Sequence, residues 1–345
     1  MRNKNIKNFS IKEISLIIDE LGEKRHRKTQ LLKWLYQKRV NSFYDMTNLP
    51  LELRKRLDGL FSITSLRVIE KVRSQEDGSI KFLLECEDKL VIETVLMEFE
   101  KHQTICISSQ IGCSLGCGFC RTGKNGLERN LRSDEILNQI IFMKDNYIQP
   151  RRRYNIVFMG MGEPFLNSGN LFRAIEILNN LDAFALGEKR ITVSTIGFPD
   201  KIIKAAESDL KFGLAVSLNA TTDSVRRKIM PASSNIDNTL SAAEKFAELK
   251  GTRATLEYVL LKGVNDSDSD AKRLAEITSG RPFKINLIPF NRWNSCGFSR
   301  PDEERINRFI ELLLPIAPAV TVRRSRGKDI GAACGQLSWK KGKMT

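Results

Sequence analysis

The sequence has 345 residues, and 41% of them are hydrophobic, enough for one large domain with a sizeable core and a small accessory unit. Its formal net charge of +15 favours an acidic polymer as partner, with nucleic acid first in line. No apolar run reaches the span of about 18 residues that a membrane helix needs, and the basic start MRNKNIKNFSIKE lacks the apolar stretch of a secretory signal, so a cytoplasmic, non-membrane protein is expected.

Residues 1–65 read as a small basic helical unit. Ser10 and Glu13 form an S-x-x-E capping box ahead of Ile11, Ile14, Ile17 and Ile18, and Gly22 suits the stop. A second helix fits Lys28–Lys38, with Leu31, Leu32, Trp34 and Leu35 on one face, and a third fits Leu51–Leu60 after Pro50. Arg25, Arg27, Lys28, Lys33, Lys38, Arg39, Arg54, Lys55 and Arg56 decorate these helices. Such a surface suits an RNA contact as well as it suits the solvated face of a packing unit.

Residues 66–98 read as a short β linker. Its strands are Leu66–Ser74, Ile80–Glu85 and Leu90–Met97, with Asp77-Gly78 as a hairpin signal and Glu87-Asp88 as a weaker turn. Thr104–Ser108 is one more strand and opens the core, expected over 99–328. Strand-like segments follow at Asn155–Met159, Arg190–Thr195, Gly213–Ser217, Thr255–Leu261, Lys284–Ile288 and Val320–Arg323. Helical segments lie between them near 133–146, 169–181, 200–207, 236–250, 267–279 and 302–313. Repeated βα units imply an α/β fold with a parallel sheet and helices outside. Six such units fit a partial (β/α)6-type barrel better than a small doubly wound sheet, and in barrels chemistry gathers at the C-terminal ends of the strands. Residues 329–345 form a C-terminal segment that carries Cys334.

Seven cysteines in a long chain without an export signal argue against a disulfide scaffold. Cys113, Cys117 and Cys120 are spaced C-x3-C-x2-C on a loop just after a strand. Three thiolates can hold three irons of a [4Fe–4S] cluster and leave the fourth open to chelate a cofactor. A zinc site completed by a distant fourth ligand is the alternative. Gly112, Gly116 and Gly118 suit a backbone that wraps closely around such a group. The spacing, after the first strand of a βα barrel, is the signature of the radical S-adenosylmethionine superfamily. There the open iron binds the cofactor's amino and carboxylate groups, and one electron cleaves it to a 5′-deoxyadenosyl radical.

Further polar groups sit where a cofactor would lie in such a barrel. Gly160 and Gly162 let the backbone of Met159-Gly-Met-Gly-Glu163 approach a ligand, and Glu163 could receive an ammonium group. Ser194, then Ser217-Leu218-Asn219, then Asn291 end successive strands. Cys334, in the glycine-flanked segment GAACGQL, and Cys106, on the strand before the cluster motif, stand apart from Cys86 and Cys296, which read as plain free thiols.

The segments ETVLM, CISSQIGCSLGCGFCRTGKNGLERNL, FMGMGEP, STIG, KINLIPFN and RGKDIGAACGQL make the chain resemble the RlmN/Cfr family of radical S-adenosylmethionine RNA methyltransferases over nearly its full length. The resemblance implies that Cys113, Cys117 and Cys120 ligate the [4Fe–4S] cluster. It implies that Gly162, Glu163, Ser194, Ser217, Leu218, Asn219 and Asn291 contact S-adenosylmethionine. Cys334 would be S-methylated by one cofactor molecule, and a second would activate that methyl group for addition to an adenine carbon. Cys106 would attack the Cys334 sulfur as a disulfide forms, releasing the base, and Glu93 matches the family's proton acceptor. Carbon 2 of adenine in 23S ribosomal RNA is the expected target, with tRNA as a second substrate. Methylation at carbon 8, or a radical reaction on a substrate other than RNA, are the alternatives. A flavodoxin-like one-electron donor and a monomeric state complete the expectation. The chemistry agrees, because an adenine carbon is not nucleophilic and a covalent route with a second, resolving thiol divides a difficult transfer into easier steps. Two positions depart from the family pattern: Asn219 stands where His is common, and Arg121 where Ala or Ser usually follows the third cysteine.

Overall fold

The computed structural model describes residues 4–149, 152–294, 296–317 and 319–338; the ends of the expected terminal segments, 1–3 and 339–345, lie outside the described residues. The helical unit begins with α1 (Ile11–Glu20), and the capping box forms: Ser10 Oγ accepts from the Glu13 amide while Glu13 accepts from the Ser10 amide. α2 (His26–Leu32) runs on as a π-helical stretch, Lys33–Lys38, that ends where Arg39 turns left-handed. α3 is Leu51–Leu60.

Then come β1 (Arg67–Arg73), β2 (Ile80–Glu85), β3 (Val91–Glu98) and β4 (Gln103–Cys106). They are followed by α4 (Arg121–Lys124), α5 (Ser133–Asn146), β5 (Tyr154–Phe158), α6 (Ser168–Asn179), β6 (Ile191–Thr195) and α7 (Pro199–Ala206). The chain continues through β7 (Gly213–Ser217), α8 (Asp223–Ile229), α9 (Ile236–Lys250), β8 (Ala254–Leu260), α10 (Asp268–Thr278), β9 (Phe283–Pro289), α11 (Glu303–Leu313) and β10 (Val320–Val322).

These ten strands form one sheet, and its spatial order is the chain order. β4 to β10 are parallel, each pair joined through at least one helix; β1 to β4 are an antiparallel meander. β1 and β10 are the two free edges, so the barrel is partial. The segment expected as a linker thus continues the same sheet. The parallel strands bury Ile105, Ile156, Phe158, Val193, Val216, Leu256, Tyr258 and Leu287, as a sheet covered by helices requires. The edge strand β1 is instead largely exposed and bears Arg67, Glu70, Lys71 and Arg73, charges that discourage pairing with another chain.

The helical unit shares a continuous hydrophobic core with the barrel, through residues such as Ile14, Leu32, Leu35 and Leu57. Buried Lys7 reaches Asn138 Oδ1 at 2.9 Å, and Asn5 donates to Asp134 at 2.9 Å, both on α5. Burial brings the Lys7 ammonium down to about 8. Part of the basic decoration serves this docking: Lys33 pairs with Asp182, and Arg39 with Asp145. Among the described residues no helix is long and apolar enough to cross a membrane.

Candidate active site

The loop after β4 is framed by a feature the sequence reading missed, an antiparallel pair between Gln110–Gly112 and Leu127–Asn130. Between its arms lie Cys113, Cys117 and Cys120. The Gly118 amide donates to Ile229 at the end of α8 (2.9 Å), Trp293 Nε1 donates to the Phe119 carbonyl (3.0 Å), and the Arg121 amide donates to Gly335 (2.8 Å). A loop pinned from three elements presents its thiols in a fixed array. Burial pushes the Cys113 thiol up to about 12 and raises Cys117 and Cys120 as well, with the neighbouring thiols adding to the rise at Cys113 and Cys117. A positively charged iron group supplies the opposite influence and holds such thiols as thiolates. Elsewhere among the described residues, Cys86, Asp88 and Glu135 bring three ligand atoms within 4.8 Å of one another.

The three cysteines line one cavity together with Gly162, Glu163, Ser194, Ser217, Asn219, Asn291 and Cys334. These residues come from the C-terminal ends of β5, β6, β7 and β9 and from the segment after β10. The glycines of the β5 loop serve packing more than ligand approach. Gly162 has a φ of +97°, and a Cβ there would lie 2.4 Å from the Gln110 Cβ; one at Gly160 would lie 2.7 Å from the Ile107 carbonyl. Glu163 follows, 4% exposed. Its Oε1 accepts from the Phe165 amide at 3.0 Å and its Oε2 from the Ile196 amide at 2.8 Å. Burial nevertheless lifts its carboxyl to about 7. An ammonium group arriving in the cavity would restore the charge.

Ser194 Oγ donates to Glu257 Oε2 at 2.6 Å. Asn219 occupies the left-handed region (φ 56°), where Asn is tolerated, and is almost wholly satisfied within the protein. Its Oδ1 accepts from Val259 at 2.8 Å and its Nδ2 points to Met230 Sδ at 3.3 Å. Leu218 is fully buried and is not among the lining residues; its carbonyl accepts from Arg226 at 3.1 Å. Asn291 is the opposite case. Its Nδ2 donates to the Cys334 carbonyl at 3.2 Å, but its Oδ1 is buried with no partner. A buried acceptor without a partner, on a residue that lines the cavity, is what an amine or hydroxyl of a bound ligand would satisfy.

Cys334 and Met159 also line a second, adjoining cavity, shared with Cys106, Phe99, Arg323, Arg324 and Arg326. Cys106 is buried on β4, which pushes its thiol up to about 12, with the Cys334 charge next in effect and Arg323 opposing. The Arg323 guanidinium is itself favoured in its charged form by Cys334, then by Glu257 and Cys106. One cation therefore attends both thiols. Arg326 lies 4.5 Å from the Phe99 ring centroid. Glu93 lines neither cavity: it pairs with Lys81 at 3.1 Å and accepts from the Ser338 amide at 2.7 Å, and burial holds its carboxyl above the usual range.

Several residues of this site escaped the sequence reading. Glu257 lies mid-strand in β8 and carries no motif, yet it bonds Ser194 and faces Arg323 at 3.7 Å. Arg226 is fully buried on α8, itself unforeseen. It donates to the carbonyls of Ile196 (2.6 Å), Leu218 (3.1 Å), Ser217 (3.2 Å) and Ser234, fixing the ends of β6 and β7. Gln110 Oε1 accepts from the Glu163 amide at 2.7 Å. Pattern alone does not separate such groups from solvated polar residues.

Residues 107–275 match the family model of the radical SAM superfamily, and residues 4–63 match that of the ribosomal RNA large subunit methyltransferase N-terminal domain. The chain is 42% identical over 340 residues to the probable dual-specificity RNA methyltransferase RlmN of Thermotoga neapolitana, across 98% of each protein. It is 43% identical over 339 residues to the dual-specificity RNA methyltransferase RlmN of Geotalea uraniireducens, across 98% of this chain and 97% of that one. The chain belongs to the RlmN family. Its fold agrees, with a TM-score of 0.89 and 38% identity, with the crystal structure of a radical SAM methyltransferase from Sphaerobacter thermophilus, over 97% of this chain and 99% of that one. Membership of the radical SAM superfamily implies S-adenosylmethionine and an iron–sulfur cluster as cofactors. The first cavity fits both: three gathered thiols, a carboxylate near neutrality and an open acceptor at Asn291.

Proposed function

We propose that this enzyme methylates carbon 2 of an adenine in 23S ribosomal RNA, and of tRNA, with Cys334 as the methyl carrier. The observation that carries the reading is the position of Cys334, which lines both the cavity of the cluster cysteines and the arginine-bearing cavity of Cys106. A thiol shared by two chambers suits a group that collects on one side and delivers on the other. The dual specificity and the RNA in the names of the relatives support two RNA substrates, and the net charge of +15 supports a polyanion.

When bound, the cluster and S-adenosylmethionine supply the methyl group and the one-electron chemistry, fed by an external donor of the flavodoxin type. Cys113, Cys117 and Cys120 would hold the cluster. Glu163 would take the cofactor's ammonium, Asn291 Oδ1 would accept from its amine or hydroxyl groups, and Gly162, Ser194, Ser217 and Asn219 would complete the wall. Leu218, away from the wall, would act through its backbone bond to Arg226. Arg323, beside Cys106, opposes the rise that burial gives its thiol. Cys106 would then form the S–S bond to Cys334 as the carbon–sulfur bond to the methylated base breaks. Glu93 is the proposed proton acceptor; burial raises its carboxyl above the usual range, and Lys81 opposes that rise. Arg324 and Arg326 would meet the RNA backbone at the cavity mouth. The protein would work as a cytoplasmic monomer.

The test is mass spectrometry of RNA digested after anaerobic reaction with reconstituted enzyme. The expected product is 2-methyladenosine. 8-Methyladenosine would overturn the carbon assignment, and methyl-free RNA from an enzyme that still cleaves its cofactor would overturn the substrate.

A further inference from the structure

The segment Gly331–Ser338 carries Cys334 and contains no helix or strand, yet both of its ends meet one ion pair. Lys81, in β2, extends Nζ to Glu93 Oε1 at 3.1 Å and to the Gly331 carbonyl at 3.4 Å. Glu93, in β3, turns Oε2 to the Ser338 amide at 2.7 Å. In the antiparallel register Lys81 faces Val95 and Leu83 faces Glu93, so the two charges are diagonal neighbours on one face of the sheet. Their side chains are 12% and 7% exposed, sheltered enough for the pair to hold a defined geometry.

The two ends of the segment are not equally held. The Arg121 amide, Asn291 Nδ2 and Thr122 Oγ1 secure the carbonyls of Gly335, Cys334 and Leu337 from outside. Upstream of Cys334 the bonds are local: Gly331 to Lys328, Ala332 to Gly327, and Ala333 to Gln336. Among the described residues, the hydrogen bond that reaches Gly331–Ala333 from the sheet is that of Lys81. Glu93 in turn depends on Lys81, since burial disfavours its charged form and the Lys81 cation is the largest influence opposing that.

We propose that Lys81 is a positioning residue for methyl transfer: it holds the upstream end of the Cys334 segment to the sheet and, through its ion pair, fixes Glu93 where it holds the Ser338 amide at the downstream end. This rests on the assignment of Cys334 as methyl carrier. Cys334 touches neither charge, so the effect passes through the backbone, fixing the thiol between the two cavities.

The test is hydrogen exchange by mass spectrometry on the reconstituted enzyme with Lys81→Met. Exchange across 331–338 should quicken about tenfold while β5 to β8 keep wild-type protection, the pattern of local opening. Cofactor molecules cleaved per methyl group delivered should rise by a similar factor, and Lys81→Arg should restore both. Lys81→Gln, which keeps a donor for Gly331 but loses the charge paired with Glu93, serves if Lys81→Met does not fold, and it should quicken exchange at Ser338 while Gly331–Ala333 keep wild-type protection. Unchanged exchange across 331–338, or loosening spread over the whole barrel, would overturn the proposal. The exchange readout needs no RNA, so a failure of the RNA assignment leaves it standing or falling by itself.

Discussion

Asn291, which lines the cavity of the three clustered cysteines, donates from Nδ2 to the Cys334 carbonyl at 3.2 Å while its Oδ1 stays buried and unpartnered. One amide thus joins the wall of the first cavity to the segment that carries Cys334, the proposed methyl carrier. Asn291→Ala should weaken S-adenosylmethionine binding by about 1–2 kcal/mol, the worth of one buried hydrogen bond and the cost of its loss. Equilibrium dialysis against the reconstituted enzyme reads this directly. Affinity equal to wild type would mean that Oδ1 meets no part of the cofactor.

The roles proposed for the two thiols of the second cavity can be separated by substitution. Cys334→Ala should abolish RNA methylation while cofactor cleavage persists. Cys106→Ala should leave protein covalently joined to RNA, visible as a slow band on a denaturing gel that nuclease removes. Normal turnover by Cys106→Ala, without such a band, would remove Cys106 from the reaction.

Glu163 gives the site a pH signature. Its carboxyl titrates at about 7 in the folded chain against 4.5 in the unfolded one. Between those values the folded chain keeps a proton that the unfolded chain has lost. Its contribution to stability therefore falls as pH rises through this window, and is level on either side. Urea unfolding of the cofactor-free protein should show that slope, and Glu163→Gln should flatten it. Cofactor affinity should move the other way, rising as pH passes through about 7, because the ammonium group needs the carboxylate.

Arg226 holds four backbone carbonyls in a fully buried position. Arg226→Met leaves them without donors, and a loss of about 2–4 kcal/mol is expected. Chemical denaturation would measure it. A loss well under 1 kcal/mol would show that water or relaxation replaces the guanidinium.

Much of this architecture was legible because its signals are local. Alternation of apolar strands with amphipathic helices marked β4 to β10, and helices such as α5 and α9 begin and end where their patterns do. The Ser10 box formed as read. Cys113, Cys117, Cys120, Glu163 and Cys334 came together in one cavity because the barrel brings every strand's C-terminal end to one face. What stayed hidden depends on distant partners. Glu257 and Arg226 are defined by neighbours 63 and 30 residues away in Ser194 and Ile196. Glu93 proved to sit outside the cavities because its partners, Lys81 and Ser338, arrive from a neighbouring strand and from the far end of the chain. Residues 66–98 lacked any signal of which strand would adjoin them.

Because the strands stand in space in the order they are made, each one emerging during synthesis meets a partner already in place, and no gap must wait for a later strand to fill it. The cluster loop, Glu163 and Ser194 can therefore assemble while the site is still open on one side. Cys334 arrives last, after β10, so the residue that lines both cavities joins a site whose other walls are already in place.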